Sequence, residues 1–324
     1  MKSAIIGLGV IAEVHVEVLK NIGAEITCVC DIDIERAEKF ISAHGIKCNV
    51  YTDYKKMLEN ENIDVVHICT PHHLHAEMCI YALDRDINVL CEKPLCIKKE
   101  EIEEICKAAD RSKAQLGVCL QNRYSNINKY VKSLISEEKV VDGFGAVLWC
   151  RDREYYSSAD WRGKWATEGG GAVINQALHT LDLLQWFCGM PSSVNGSIFN
   201  VSHSYIEVED SARARFVYDD GVFEFYASVS HNKDFAVQIL LITEDKRIVI
   251  TEKNLIVNGK AIEFEAIKTQ NVKECYGNGH MSLIADFYDC IKNNRHFEID
   301  AHEGAKVIKL ILGIYESKGK TINV

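Results

Sequence analysis

Short β-branched segments alternate with longer helical patterns through the first 120 residues of this chain. Strands are predicted near residues 3–6, 26–31, 64–69, 87–91 and 114–119. Helices are predicted near residues 11–21, 33–44, 53–60, 74–84 and 98–110. Repeated strand–helix–strand units form a parallel sheet with helices on both faces. Residues 1–121 are therefore predicted to form a doubly wound α/β domain.

The pattern changes after Gln121, where strands follow one another through short turns such as Asp219-Asp220-Gly221, as in an antiparallel sheet. Strands are predicted near residues 142–153, 194–203, 209–218, 221–231, 235–243 and 246–252, and helices near 126–138, from 169–171 to 188, near 280–293 and near 302–317. A chain of 324 residues exceeds the roughly 250–300 residues of one core. Residues 122–324 are therefore predicted to form a second, α+β domain with a large, mostly antiparallel open sheet. Its C-terminal helix is a candidate to pack back on the first domain.

A glycine-rich turn follows the first strand and opens the first helix. Its G-x-G-x-x-A spacing allows a sharp bend, a close backbone approach to a pyrophosphate and a helix N-terminus facing the phosphates. The second strand ends at Asp31, where a carboxylate can accept hydrogen bonds from a ribose and disfavours the extra phosphate of NADP. The pattern predicts a Rossmann domain that binds NAD rather than NADP, through Gly7, Gly9, Val10, Ile11, Ala12 and Asp31. Asp31 could instead serve as a helix N-cap or turn residue.

Two further polar segments follow predicted parallel strands directly, at the edge where such sheets bind ligands. The first runs from Thr70 to His75 and the second is Glu92-Lys93-Pro94. Lys93 lies between a carboxylate and a residue of fixed φ, a setting suited to passing a proton to a reacting hydroxyl. The alternative is an ordinary surface lysine.

In the second half, Asn175, His179 and Asp182 have the i, i+4, i+7 spacing of one helical face. These side chains are predicted to point together toward a substrate. The alternative for His179 is a buried histidine on a helix whose leucines form core.

The ordered motifs resemble those of the Gfo/Idh/MocA oxidoreductase family, which combines a GxGxxA turn, a T-P-x-x-x-H segment, E-K-P and a GGG…D-x-G-x-H-x-x-D helix. The resemblance spans nearly the whole chain and implies that Lys93 relays the substrate hydroxyl proton and that His179 binds the same oxygen. It also implies cofactor contacts in both loops, at Thr70, Pro71, His72, His75, Glu92 and Lys93. This chain has Asn175 where many members carry Asp, and an amide cannot act as a base.

Polar and aromatic residues near the domain crossover and before the glycine run suit contacts with a carbohydrate. Asn122 is assigned to the cofactor. The predicted substrate contacts are Lys93, Arg123, Tyr124, Tyr156, Trp161, Arg162, Asn175, His179 and Asp182. Aromatic residues with arginine are also common at oligomer interfaces, which is the alternative for this group.

Charge and composition exclude several classes. A formal net charge of −10 and the lack of a basic block argue against nucleic acid. No apolar run reaches about 18 residues, so no membrane segment is predicted. The 13 cysteines lie mostly in apolar runs, which indicates reduced thiols and a cytoplasmic protein, and their spacing predicts no metal site. Phe223, Phe225 and Val229 suggest an apolar sheet face that a second copy covers in a homodimer or homotetramer.

The predicted activity is NAD-dependent hydride transfer at a hydroxyl or ketone carbon of a sugar, inositol or sugar derivative. One alternative is a glycosidase or isomerase that recycles its NAD internally. Another is a regulator that senses the nucleotide without catalysis, because a fold does not fix a function.

Overall fold

The computed structural model of the chain describes residues 1–251, 253–264 and 279–324. The first of two units contains Met1–Tyr124 and the described part of residues 269–305, and the second contains the rest of the described chain. The sequence pattern predicts a single boundary after residue 121 and names only the C-terminal helix as a candidate to return to the first domain, whereas the returning segment begins earlier and ends at Ala305.

Six parallel strands form the sheet of the first unit in the order β3-β2-β1-β4-β5-β6. They are β1 (Lys2–Ile6), β2 (Glu25–Cys30), β3 (Asn49–Tyr51), β4 (Val65–Ile68), β5 (Asn88–Cys91) and β6 (Leu116–Val118). The connecting helices are α1 (Val10–Asn21), α2 (Ile34–Ala43), α3 (Tyr54–Asn60), α4 (His75–Leu83) and α5 (Lys99–Arg111). This order confirms the predicted doubly wound sheet. The sequence pattern missed β3, which has only three residues and no buried side chain.

The strands of this sheet end at the same level. Ile6 pairs with Cys30 on one side and with Ile68 on the other, and Ile68 in turn pairs with Cys91. The residues that follow these strand ends therefore meet along one edge. They are Gly7, Asp31, Cys69 and Glu92.

The second unit is built on a nine-stranded sheet in the order β14-β13-β12-β11-β7-β10-β9-β8-β15. Its strands are β7 (Val140–Leu148), β8 (Ser193–Phe199), β9 (Ser211–Tyr218), β10 (Gly221–Ser228), β11 (Gln238–Thr243), β12 (Arg247–Thr251), β13 (Leu255–Val257), β14 (Lys260–Ile262) and β15 (Thr321–Asn323). All neighbours are antiparallel except β7 and β10. The mostly antiparallel sheet agrees with the prediction.

Three helices of the second unit lie in the segment from residue 126 to residue 188, one before β7 and two after it. They are α6 (Asn126–Leu134), α7 (Arg153–Ser157) and α8 (Leu178–Cys188). The sequence pattern predicts one regular helix from the glycine run to residue 188, but Ala172–Ala177 form a π-helical turn before α8 begins. Such turns have hydrogen bonds between residues five apart rather than four apart, and they often occur at functional sites.

Two helices close the described chain, α9 (Gly279–Lys292) and α10 (Ala301–Ser317), whose residues are divided between the units after Ala305. A buried apolar face explains why α9 belongs to the first unit. Its Phe287 packs so closely on β6 that a Cβ on Gly117 would lie 2.9 Å from the ring. Long-range packing of this kind is not visible in local sequence patterns.

The sheet residues that suggested an exposed apolar face are buried within the chain itself. Phe223, Phe225 and Val229 are 0%, 2% and 1% exposed, because they face the chain's own core. The opposite face of β10 carries Glu224, which pairs with Arg215 at 2.6 Å. The inference of an oligomer from those three residues was therefore wrong in its reason, and the oligomeric state stays a prediction.

Each of the twelve described cysteines has a free thiol. Burial raises the pKa of Cys28 and Cys30 to about 12, which keeps these thiols protonated. Within the described ranges, no helix combines the length and apolar character that crossing a bilayer requires.

Candidate active site

The glycine turn lies against the end of β4. Gly7 has a φ of +85°, and its N–H donates to the carbonyl oxygen of Cys30 at 2.8 Å. A Cβ at this position would lie 2.7 Å from the Cys69 carbonyl oxygen and 2.9 Å from Thr70 Cγ2. Both the backbone conformation and the space therefore require glycine here. Gly9 caps α1 without a side chain, so the first N–H groups of this helix remain available to an anion.

Asp31 braces this turn from the end of β2. Its carboxylate accepts hydrogen bonds from the N–H groups of Leu8 at 2.9 Å and Asp33 at 3.0 Å, and the side chain is buried. The helix N-cap is Asp33, whose side chain accepts from Arg36 N at 3.1 Å. Asp31 is therefore a turn residue and not the cap of α2. Its contact with a ribose stays a prediction.

Arg36 was not among the predicted site residues. Its guanidinium lies 3.3 Å from Asp31 Oδ1 and 3.5 Å from Asp33 Oδ2. An arginine near this position can accommodate the 2′-phosphate of NADP. Here two carboxylates already engage the guanidinium, which favours NAD. The signal in the sequence was an arginine five residues after Asp31 on the first turn of a helix.

His75 joins the two loops that follow β4 and β5. Its Nδ1 lies 2.7 Å from the Pro94 carbonyl oxygen and its Nε2 lies 2.8 Å from the Thr70 carbonyl oxygen. Burial lowers the pKa of His75, which favours a neutral ring with one N–H. A neutral ring donates to one of these carbonyls, and only the protonated ring donates to both. His72, also buried, lies in the same segment.

Glu92 is the centre of a buried polar network next to Lys93. Its Oε1 lies 2.9 Å from His15 Nε2 and 3.1 Å from His280 Nε2, while its Oε2 accepts from the Lys93 backbone N–H at 3.2 Å. Burial alone would raise the pKa of Glu92, but the two histidines outweigh it and hold this pKa well below its usual value. The Lys93 backbone is thus anchored by an ionised carboxylate, and the Lys93 side chain is half-buried.

The network continues from His15 into the sheet. His15 Nδ1 lies 2.7 Å from His67 Nδ1, and His67 Nε2 lies 2.8 Å from the hydroxyl of Tyr288. Burial lowers the pKa of His67 well below its usual value, so this ring is neutral. His15, His67 and Tyr288 were not among the predicted site residues. The available signal was a histidine inside an apolar run, as in Val65-Val66-His67-Ile68.

One group of donor atoms in this network could hold a metal ion. Donor atoms of His15, Glu92 and Cys119 all lie within 4.8 Å of one another, and the three side chains are buried. The contact between His15 and Glu92 has the length of a hydrogen bond, and burial followed by the charge of Glu92 raises the pKa of the Cys119 thiol well above its usual value. These features describe a hydrogen-bonded network more closely than a set of metal ligands.

The turn after β6 carries three predicted site residues, and two of them are engaged within the first unit. Arg123 is buried and its Nη1 lies 2.8 Å from Glu303 Oε1. Tyr124 donates its hydroxyl to Asp286 at 2.5 Å. These contacts hold the turn to α9 and α10, so a substrate role for Arg123 and Tyr124 stays a prediction. The same holds for Asn122 and the cofactor.

In the second unit, the glycine run before the π-helical turn is shaped by Glu209. This carboxylate accepts hydrogen bonds from the N–H groups of Gly171 at 2.9 Å and Val173 at 3.0 Å, and from the Tyr315 hydroxyl at 2.9 Å. A Cβ on Gly170 would collide with the Tyr315 hydroxyl. Burial raises the pKa of Glu209 to about 7. The run therefore needs glycine for close approach, and a buried carboxyl group fixes its course.

Asn175 lies in the π-helical turn and is oriented by two neighbours. Its Nδ2 donates to Glu168 Oε1 at 2.6 Å and to the Tyr155 hydroxyl at 3.1 Å. Gln176 donates to the same hydroxyl at 2.8 Å. Glu168 is buried, and its other oxygen accepts from Gly163 N at 2.5 Å. Tyr155 and Glu168 were not in the predicted substrate set, although both belong to the segment before the helix.

Three of the remaining predicted substrate residues differ in accessibility. Tyr156 is 7% exposed and packs on the rings of His203 and Tyr205, so Tyr155 rather than Tyr156 contacts Asn175. Asp182 is fully buried in α8, whereas His179 is half-buried. The predicted common face of residues 175, 179 and 182 thus contains one side chain that solvent does not reach.

Comparison with known proteins identifies both halves of the chain. Residues 1–120 match the model of an oxidoreductase family with an NAD-binding Rossmann fold, GFO_IDH_MocA, and residues 130–250 match the GFO/IDH/MocA C-terminal domain. Inositol 2-dehydrogenase of Salmonella typhimurium is 26% identical over 189 residues, which are 57% of this chain and 54% of that protein. The 2,7-anhydro-N-acetylneuraminate hydratase of Mediterraneibacter gnavus is 28% identical over 208 residues, which are 62% of this chain and 53% of that protein.

The chain spans about half the length of the curated relatives it matches. Among solved structures, the WlbA dehydrogenase from Bordetella pertussis, in complex with NADH and UDP-GlcNAcA, has a TM-score of 0.88 and 25% identity. That similarity covers 100% of this chain and 98% of the WlbA chain.

Proposed function

The chain belongs to the GFO/IDH/MocA family of oxidoreductases with an NAD-binding Rossmann fold, and we propose that it is a dehydrogenase of sugar-like molecules. It transfers a hydride between nicotinamide and a carbon that bears a hydroxyl or ketone group. The observation that carries this proposal is the match of both halves of the chain, in order, to the two domains of one oxidoreductase family.

The residues at the sheet edge fit a dinucleotide. Gly7 leaves no room for a side chain between the turn and Cys69, and the uncapped N-terminus of α1 offers N–H groups to a pyrophosphate. Asp31 holds the turn through Leu8 and keeps Arg36 engaged, which supports NAD over NADP. NAD supplies the hydride acceptor for oxidation of the substrate carbon.

Lys93 is proposed as the proton relay. Its amine accepts the hydroxyl proton as the carbon is oxidised and returns it in the reverse direction. Glu92 holds the Lys93 backbone, and His15 and His280 hold Glu92 in its ionised form. Because Lys93 is already held in place, less entropy is lost on reaching the transition state of the proton transfer.

His179 and Asn175 are proposed to hold the substrate oxygen. Asn175 presents an amide that Glu168 and Tyr155 orient, so it can form hydrogen bonds without taking a proton. The proton therefore goes to Lys93 and not to residue 175.

The relatives suggest the chemical class of the substrate. Their names and bound ligands include an inositol, an anhydro sugar acid and a nucleotide-linked sugar acid. A polyhydroxylated ring is common to all three, and we propose such a ring for this chain.

A second candidate activity is one without net redox change, in which NAD is reduced and reoxidised within each cycle. The similarity to a hydratase of the same family favours this candidate. It predicts conversion of the substrate at catalytic amounts of NAD, with no accumulation of NADH.

The test is absorbance-monitored NADH formation from NAD, and NADPH from NADP, over sugars, inositols, sugar acids, glycosides and nucleotide sugars. Lys93→Met should abolish turnover and leave NAD binding largely intact. The exposed Lys113→Met is the matched control and should keep wild-type rates. Turnover by Lys93→Met at the wild-type rate would refute the proton relay. Product formation without NADH would select the second candidate.

A further inference from the structure

Arg162 lies over the ring of Tyr155, the residue whose hydroxyl contacts Asn175. Among the described residues, this arginine has no anionic partner. We propose that it binds an anionic group of the substrate, so that the preferred substrate is a sugar carrying a carboxylate or a phosphate. This inference rests on the proposed function, because that function makes Asn175 a substrate contact.

Within the described ranges, the guanidinium of Arg162 is held by aromatic rings alone. Its central carbon lies 4.1 Å from the centroid of the Tyr155 ring and 4.8 Å from that of Trp161. The Nε atom is buried and has no hydrogen-bond partner in the part of the chain that the structure describes. Aromatic faces orient a guanidinium plane but do not satisfy the N–H groups along its edge.

A single side chain connects Arg162 to the proposed substrate contact. Tyr155 carries the guanidinium on its ring and accepts a hydrogen bond from Asn175 at its hydroxyl. A ring-sized ligand held at Asn175 therefore lies next to the residue on which Arg162 is stacked.

The neighbouring charges do not neutralise Arg162. The Glu168 carboxylate is directed to Gly163 N and to Asn175 Nδ2, and it forms no ion pair with Arg162 within the described chain. Arg151 also lies over Tyr155, but it pairs with Asp234 at 3.0 Å and with Gln176 at 3.0 Å. Of the two arginines on this ring, one is paired and the other is left for a ligand.

The chemistry of the edge defines the ligand. A guanidinium that lies over aromatic rings presents its N–H donors in one plane, which matches two oxygens of a carboxylate or a phosphate. A neutral hydroxyl accepts one such bond and leaves the charge of the guanidinium unpaired. Arg162 thus selects anionic over neutral sugars.

The experiment measures binding to the NADH-saturated protein by isothermal titration calorimetry. The probes are D-glucuronate and D-galacturonate for a carboxylate, D-glucose 6-phosphate for a phosphate, and D-glucose and D-galactose as neutral partners. Arg162→Gln removes the charge, and Arg162→Lys keeps it if the glutamine variant does not fold. Arg213→Gln is the matched control, because Arg213 also lies over a tyrosine ring, that of Tyr226 at 5.5 Å.

We expect an anionic probe to bind in preference to its neutral partner and to lose about 10- to 100-fold in affinity in Arg162→Gln. Arg213→Gln should bind as wild type, and Arg162→Lys should keep a preference for the anion. The arm that responds, uronate or phosphate, identifies the group. Equal losses for charged and neutral probes, or no binding of an anionic probe that depends on Arg162, overturns the proposal.

Two outcomes separate this inference from the proposed function. Anion binding that depends on Arg162, without NADH formation from any substrate, would refute the dehydrogenase and support the anion site. Oxidation of neutral sugars at equal kcat/KM in wild type and Arg162→Gln would support the dehydrogenase and overturn the anion site.

Discussion

Glu209 predicts a specific dependence of stability on pH. Burial raises its folded-state pKa to about 7, against an ordinary value of 4.5. Between these pH values the folded chain keeps a proton that the unfolded chain has lost, so the free energy of unfolding falls as pH rises. A separation of about 2.5 pH units at about 1.4 kcal/mol each gives a loss of about 3 kcal/mol, complete above pH 7.

The assay compares wild type with Glu209→Gln by urea unfolding at several pH values between 5 and 8. The amide of this variant does not titrate, and its altered hydrogen bonds to Gly171 and Val173 contribute a constant difference that cancels across pH. All four tryptophans lie in the second unit, so tryptophan fluorescence reports on the unit that contains Glu209. The ring centroid of Trp165 lies 5.2 Å from that of Tyr315, whose hydroxyl donates to Glu209.

Wild type should lose about 2 to 3 kcal/mol relative to Glu209→Gln between pH 5 and pH 8. Glu207→Gln, which removes an exposed carboxylate nearby, should show no such trend. A difference between wild type and Glu209→Gln that stays constant across this range would refute the reasoning, because it would mean that Glu209 ionises at the same pH in the folded and unfolded chain.

Three further predictions concern contacts in both units. Gly7→Ala should weaken NAD binding at least about tenfold by fluorescence titration, since its Cβ would lie 2.7 Å from the Cys69 oxygen. Glu92→Gln removes the charge from two buried hydrogen bonds and should lower the free energy of unfolding by about 3 kcal/mol or more at pH 7. The control is Glu77→Gln at an exposed ion pair, which should change the free energy of unfolding by less than about 1 kcal/mol. Because the pKa of Glu92 is depressed, its contribution should persist above about pH 4.5 and disappear only as pH falls below that value, which acid titration of both variants measures. Gly170→Ala should destabilise the second unit by about 2 kcal/mol or more in the same urea assay, because its Cβ would displace Tyr315.

The sheet of the first unit and its glycine turn could be read from the sequence because both depend on local patterns. Alternating strands and helices fix a parallel sheet, and the spacing of Gly7 and Gly9 fixes the turn. The helical pattern of α9 is also local, but its place in the first unit could not be predicted. What holds it there is the packing of Phe287 on Gly117, which is far away in sequence.

The site was predicted less completely than the fold. His15 and His67 lie inside apolar helix and strand patterns, where a histidine is usually a satisfied core residue, and only the three-dimensional contacts join them to Glu92. The choice between Tyr155 and Tyr156 was equally invisible, because neighbouring positions on a short helix differ only in which one the fold buries. Local pattern does not encode that difference.

The order of strands in the second sheet has a consequence for synthesis. β7 lies between β10 and β11, yet it precedes both in the chain by many residues. At about 5–20 residues per second, β7 leaves the ribosome several seconds before either partner exists. Its apolar residues must remain without a sheet neighbour during that interval, and closing the parallel pair then requires a long loop. The second unit is therefore the part of a nascent chain that needs protection from aggregation until translation has passed β11.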